Sequence, residues 1–197
     1  MDKIWAIILA AGESKRMGSP KMLLTFNGIT MIETVIKNVE NSDVDNTIVV
    51  LGANYDILSA LVLNKGVKYC YNKKYEEGML SSVICGCRNL PPELEAVLVF
   101  QGDQPLIKAN VINRVIEEYR ASGKGIVIPA YEGKRGHPLL FVKKYINEIE
   151  KLEAREGLRS LAYLYSDDVH EVETDDSGIL RDFNTFEDYQ EEINQKR

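Results

Sequence analysis

Positions 9–21 read L-A-A-G-E-S-K-R-M-G-S-P-K and combine three things that phosphate chemistry needs. After Leu9, Ala10, Ala11 and Gly12 are small enough for a ligand to press against the backbone. Lys15, Arg16 and Lys21 bring three cations within a few residues, and the whole stretch follows the apolar run Ile4-Trp5-Ala6-Ile7-Ile8. Backbone donors and mobile cations together suit a triphosphate. The spacing is that of neither common phosphate loop. A Walker loop separates its glycines by four residues and puts Lys directly after the second, whereas Gly12 and Gly18 have five residues between them and Lys21 comes three later. The G-x-G-x-x-G dinucleotide pattern is absent as well. Taken alone, the three cations also fit an ordinary solvated loop.

A second candidate lies at Gly102-Asp103-Gln104-Pro105, straight after the apolar segment A-V-L-V-F-Q. Asp103, exposed by Gly102 and held by the stiff Pro105, offers a hard oxygen of the kind a magnesium ion takes. The competing reading is a turn-forming Asp ahead of a helix.

These loops need a frame to hold them. Apolar, β-rich runs at 4–9, 47–51, 67–71, 96–100, 125–129 and 139–142, each bounded by Gly, Pro, Asn or Asp, read as strands. Segments 31–39, 55–63, 80–87, 111–120 and 145–152 carry apolar residues at helical intervals. Such alternation predicts an α/β fold, a Rossmann-like three-layer α/β/α arrangement with a mostly parallel sheet. Ligands in these sheets bind outside the carboxyl ends of the strands, and both loops fall on that edge.

The length of 197 residues and 45% hydrophobic content fit one domain over 1–197. A net charge of −6 without a basic stripe argues against a polymeric nucleic-acid partner. The first apolar stretch is too short to span a membrane and has no cleavage-site pattern, so a cytoplasmic location is expected. Cys70, Cys85 and Cys87 are odd in number and read as reduced thiols in or near the core. With His137 and His170 the only histidines, a zinc site of His and Cys is set aside.

Read without a gap, L-A-A-G-x-S-x-R-M-G-x-x-K resembles the nucleotide loop of the MobA-like nucleotidyltransferases, and within them that of the molybdenum cofactor cytidylyltransferases. The resemblance continues along the chain. N-K-K-Y-E-E-G-M-L-S-S-V-I-C-G-C, beginning at Asn72, is similar to the family segment ending G-M-x-x-S-x-x-x-G. G-D-Q-P resembles its metal loop, G-K-R-G-H-P-L-L-F its R-G-H-P element, and D-F-N-T-F-E-D-Y its closing D-x-D/N-T-x-x-D-Y. Gly157 and Arg159 stand where the family often has G-D-x-G-x-R, without the Asp.

The resemblance implies a nucleotide-diphospho-sugar transferase-like fold and attack by an acceptor phosphate on the α-phosphorus of a nucleoside triphosphate, with pyrophosphate leaving. It implies catalytic Arg16, Lys21 and Asp103, with Leu9, Ala10, Ala11, Gly12 and Ser82 around the nucleotide. Mg2+ would sit on Asp103 with Asn184 or Asp182 as second ligand, Asn184 standing where the cytidylyltransferases usually carry Asp. His137 and Arg135 would face the acceptor. Two of these positions have plainer readings: Ser81-Ser82 as a helix N-cap, and Asn184-Thr185 as the cap of a helix over 186–193, with Asp188 at N3. The L-A-A-G loop points to CTP, the Ala11 methyl narrowing the base pocket, and to molybdenum-loaded molybdopterin as acceptor. A transient contact with a recipient molybdoenzyme or its chaperone follows from that acceptor. GTP as donor, a sugar or alcohol phosphate as acceptor, or a non-catalytic nucleotide- or cofactor-binding protein are the alternatives.

Overall fold

The computed structural model describes residues 3–153 and 157–195. Its strands are β1 (Ile4–Ala10), β2 (Thr25–Phe26), β3 (Ile29–Thr30), β4 (Asn46–Leu51), β5 (Lys68–Tyr71), β6 (Ala96–Gln101), β7 (Ile126–Tyr131), β8 (Lys134–Arg135), β9 (Leu139–Val142) and β10 (Val169–Glu173). The helices are α1 (Met31–Glu40), α2 (Tyr55–Asn64), α3 (Met79–Arg88), α4 (Ala109–Ser122), α5 (Ile146–Ile149), α6 (Arg159–Leu164) and α7 (Phe186–Gln195).

Among the described residues the main sheet runs β10-β7-β9-β6-β1-β4-β5, with β8 paired to β7 off this path. The pairs β6-β1, β1-β4, β4-β5 and β10-β7 are parallel, and β9 alone runs against both its neighbours. β1 is central and buried throughout because both of its faces are covered. Its alternate residues serve two cores. Ile4, Ala6, Ile8 and Ala10 pack with Ile32, Ile36, Leu58, Val62, Ile112 and Val115 of α1, α2 and α4. Trp5, Ile7 and Leu9 pack with Leu80, Val83 and Leu161 of α3 and α6 on the other face. The period-2 alternation of the strand thus produces the three layers the sequence predicts.

The expected elements are found with small shifts, and a few differ. The helix expected over 145–152 is a 3-10 turn, Lys143–Tyr145, followed by the single turn α5. β10 was not anticipated: V-H-E-V-E lies at the sheet edge, where only Val172 is buried, so it lacks the apolar run of an interior strand. The two-residue strands β2 and β3 turn through Asn27 and Gly28, both at positive φ, and are too short to show as a hydrophobic pattern. Cys70, Cys85 and Cys87 are free thiols, and burial pushes Cys87 up to about 12 and raises Cys70 as well. No helix among the described residues is long and apolar enough to cross a membrane.

Candidate active site

The parallel register aligns four strand ends on one edge. Ala10 of β1 pairs with Leu51 of β4, Leu51 with Tyr71 of β5, and Leu9 with Gln101 of β6. The residues that follow them, Ala11, Gly52, Asn72 and Gly102, therefore line the carboxyl edge side by side. Close approach explains two of these choices. A Cβ on Gly102 would lie 2.9 Å from both the Leu9 carbonyl oxygen and Met22 Sδ, and one on Gly52 would lie 2.5 Å from the Ala11 carbonyl oxygen.

The loop after β1 folds back on itself. Ser14 and Gly18 take left-handed backbone around the 3-10 turn Lys15–Met17, and Ser14 Oγ accepts from the Lys21 backbone N–H at 3.0 Å. Met17 and Met22 anchor it in the core. Gly12 is exposed and Lys15 points to solvent, 77% exposed and paired with Glu13. The side chain of Arg16 lies outside the described residues.

Lys21 and Asp103, expected on different ligands, are brought together. The Lys21 ammonium donates to Asp103 Oδ2, with the two side chains 16% and 7% exposed. Asp103 was expected to be exposed by Gly102; it is buried at 5%, because Gly102 is pinned to β1 through its N–H on the Leu9 carbonyl. The closing motif comes to the same place, the Phe183 N–H donating to the Asp103 carbonyl at 3.3 Å while the Phe183 ring is buried beside Phe26. That contact carries Asp182 and Asn184 to the site. The Asn184 amide donates to Asp182 Oδ2 at 2.6 Å. The capping reading also holds: Asp188 Oδ2 accepts from the Thr185 N–H at 2.8 Å and Thr185 Oγ1 accepts from Asp188 N–H at 3.2 Å. The N–H groups of Thr185 and Asn184, both donating to Oδ2, hold the Asp188 carboxyl below its ordinary range. No group of three or more His, Cys, Asp or Glu able to hold a metal occurs among the described residues. Asp103 and Asp182 are hard-oxygen donors, a set that fits magnesium bound through one or two carboxylates with phosphate oxygens completing its shell.

Ser82 lies inside the first turn of α3 and is not its cap, since Gly78 holds the N-cap position without a side-chain bond. Asn72 Nδ2 instead donates to it at 3.0 Å. Ala11 is buried at 5%, its Cβ beside Gly52, where a Cβ added to the glycine would lie 2.8 Å from it.

Beyond β6 opens a cavity of about 550 Å³ whose apolar lining includes Ile128, Leu139 and Leu158 and whose polar lining includes Gln101, His137 and Arg159. His137 and Arg135 both line it, as does Gly157, whereas residues 154–156 lie outside the described residues. Arg135 is held by Glu171, with Nε and one terminal nitrogen on Oε1 at 2.8 and 2.6 Å, and stacks on Tyr163 at 5.8 Å. Burial lowers the His137 pKa from its ordinary 6.5, against weaker upward pulls from Asp103 and Asp182. The neutral ring accepts at Nε2 from the Gln101 amide at 2.7 Å. Gln101, Glu171 and Tyr163 belong to no motif, and Asn72 only opens the segment that ends G-M-x-x-S-x-x-x-G. The position directly after or at the end of each strand was the available signal for Gln101 and Asn72; none existed for Glu171 or Tyr163.

A mostly parallel sheet that gathers a small-residue loop, cations and carboxylates on its carboxyl edge is the layout of a nucleotide-handling enzyme. The family model described as the MobA-like NTP transferase domain matches residues 6–169, and the chain belongs to that family of nucleotidyltransferases. It is 27% identical over 190 residues to the molybdenum cofactor cytidylyltransferase of Escherichia coli, covering 96% of this chain and 95% of that one. It is 38% identical over 125 residues to the bifunctional protein GlmU of Clostridium kluyveri, which spans 62% of this chain and only 27% of the GlmU chain. Among solved structures, Rv0371c of Mycobacterium tuberculosis superposes with a TM-score of 0.86 at 25% identity, covering 96% of each chain. The same mycobacterial protein in complex with manganese superposes at 0.81, with 23% identity and coverage of 96% and 97%.

Proposed function

We propose that this chain, acting as one domain over 1–197, transfers a CMP group from CTP to the phosphate of molybdenum-loaded molybdopterin and releases pyrophosphate. The observation that carries the reading is the meeting of two halves on one strand end. Gln101 lines the large cavity, and two residues further on Asp103 holds Lys21 beneath the glycine loop. An acceptor in the cavity would therefore present its phosphate beside a triphosphate on the loop, and positioning of this kind supplies most of the catalysis in such transfers. The end-to-end similarity to the Escherichia coli cytidylyltransferase supports the choice of acceptor.

Leu9, Ala10, Ala11 and Gly12 offer backbone to the nucleotide, and Arg16 and Lys21 neutralise its phosphates. Asp103 and Asp182, with Asn184 beside them, are the residues that would hold Mg2+, which when bound polarises the α-phosphate and steadies the leaving pyrophosphate. The acceptor oxygen forms the new bond to the α-phosphorus, and the bond to the bridging oxygen breaks with its electron pair leaving on pyrophosphate. His137, neutral and bonded to Gln101, orients the acceptor with Arg135. Lys134, Arg135 and Arg159 give the cavity the positive charge that a phosphate-bearing acceptor needs.

Pyrophosphate release measured over the four nucleoside triphosphates, with and without molybdenum-loaded molybdopterin, tests this. The expected result is release that requires both CTP and the acceptor. Release with a hexose phosphate but not with molybdopterin would transfer the assignment to the sugar-phosphate alternative, and nucleotide binding without release under any acceptor would make the chain a binding protein.

A further inference from the structure

Asn72 closes β5 on the carboxyl edge, beside Gly52 and Ala11, and its carboxamide has one orientation. The Lys74 backbone N–H meets Asn72 Oδ1 at 2.9 Å, and since an N–H can only donate, the amide oxygen must lie on that side. The NH2 group therefore faces the other way, where its two hydrogens go to Ser81 Oγ at 2.9 Å and Ser82 Oγ at 3.0 Å. The two serines then differ. Ser81 has carbonyls for its own hydrogen, those of Lys74 and Gly78, each at 2.8 Å. Ser82 accepts from Asn72 and, among the described residues, has no further hydrogen-bond partner. Its hydroxyl hydrogen is thus a donor with no acceptor among the described residues, on a side chain that, like Asn72, belongs to a residue only 4% exposed. An unmade hydrogen bond is costly in such surroundings.

We propose that Asn72 is a positioning residue for base recognition: it fixes Ser82 as a hydrogen-bond donor, and this polarity selects a pyrimidine whose pairing edge presents an acceptor at N3. Cytosine has that acceptor and uracil carries N3–H instead, so the pair favours CTP over UTP. The inference rests on the reading that a nucleoside triphosphate lies along the Ala11–Gly52–Asn72 edge. It assigns the discrimination between the two pyrimidines to Asn72 and Ser82.

Calorimetric affinities of the intact protein for CTP and UTP, both with magnesium, provide the test. Asn72→Asp keeps the acceptor that Lys74 needs and replaces the NH2 donor by a second acceptor. Ser82 then turns its hydrogen toward residue 72 and its lone pair toward the base. The CTP-over-UTP affinity ratio is expected to fall by about tenfold or more. Asn72→Ala and Ser82→Ala should bring the ratio toward one, and adding Asn72→Asp to Ser82→Ala should change it no further. A purely structural role would weaken both nucleotides alike and leave the ratio in place, which overturns the proposal, as does a wild-type preference for UTP. If Asn72→Asp does not fold, the two alanine variants decide by the same ratio. Failure of the wild type to bind either nucleotide would instead sink the nucleotidyl-transfer reading on which the inference stands.

Discussion

Two cation–carboxylate pairs stand in the two halves of the proposed site, and they differ in what surrounds them. Lys21 and Asp103 meet under the glycine loop with side chains 16% and 7% exposed, whereas Arg135 and Glu171 meet at the mouth of the cavity with side chains 33% and 41% exposed. The chemistry is alike; the setting is not. Removing one partner of a buried pair leaves an uncompensated charge away from water, while an exposed pair exchanges protein contacts for solvent at little cost. The half we propose for the nucleotide is thus held by a contact that the fold cannot lose cheaply. The half we propose for the acceptor is held by one that can open, as the proposed function requires of a cavity that admits and releases its substrate.

The sharpest way to break this comparison is at the buried pair. Asp103→Asn leaves the Lys21 ammonium without its counter-charge, and stability should fall by about 3–5 kcal/mol in urea denaturation. Pyrophosphate release should drop by about a hundredfold or more, because the variant also loses the carboxylate assigned to the metal. Lys21→Met combined with Asp103→Leu should recover most of the stability and none of the turnover. Lys15→Ala, which removes only an exposed ion pair with Glu13, should leave both nearly unchanged. Equal, small effects at Lys15, Lys21 and Asp103 would show that the loop is an ordinary surface turn.

A smaller effect is expected at the exposed pair. Arg135→Ala should raise KM for the acceptor by about tenfold while shifting stability by no more than about 1 kcal/mol and leaving KM for CTP unchanged. A change in KM for CTP instead would place Arg135 on the nucleotide side and erase the division between the halves.

The mildest effect concerns pH. His137 is held below its ordinary 6.5 by burial, so in the folded protein it stays neutral where an unfolded chain has begun to take up a proton. Its contribution to stability is therefore complete above about pH 6.5 and declines as pH falls below that value toward the folded pKa. Thermal denaturation should show this decline in the wild type and less of it in His137→Gln. KM for the acceptor should be flat from about pH 6.5 to 8, the range in which the ring keeps its neutral form. A steep change in acceptor KM across pH 7 would mean that the ring is protonated when the acceptor binds.

How far these features were legible in the sequence depends on what kind of interaction makes them. β1, β4 and β6 showed as apolar runs because both of their faces are buried, and α1 showed through the spacing of Met31, Ile32, Val35, Ile36 and Val39. β10 did not show, because an edge strand with one covered face carries His170, Glu171 and Glu173 among its five residues. In the site, the strand-end rule and the family resemblance put Lys21, Asp103 and Asp182 on one edge, and the structure brings them together there. Neither reveals that Lys21 and Asp103, 82 positions apart, are each other's partners. The family resemblance implies Ser82 near the base, yet the donor role we propose for it depends on Asn72, ten positions earlier, and on the Lys74 N–H that fixes the amide.

The amino-acid sequence by itself determined the α/β alternation, the edge of the sheet on which the loops gather, and the residue types available there, because these follow from local periodicity and from backbone chemistry at strand ends. Tertiary structure alone decided that Asp103 is buried rather than exposed, that the Ala11 side chain lies beside Gly52, and that Arg135 is held by a carboxylate from the edge strand β10. Burial and hydrogen-bond direction are set by groups distant along the chain, and they fix what a side chain does once its type has fixed what it could do.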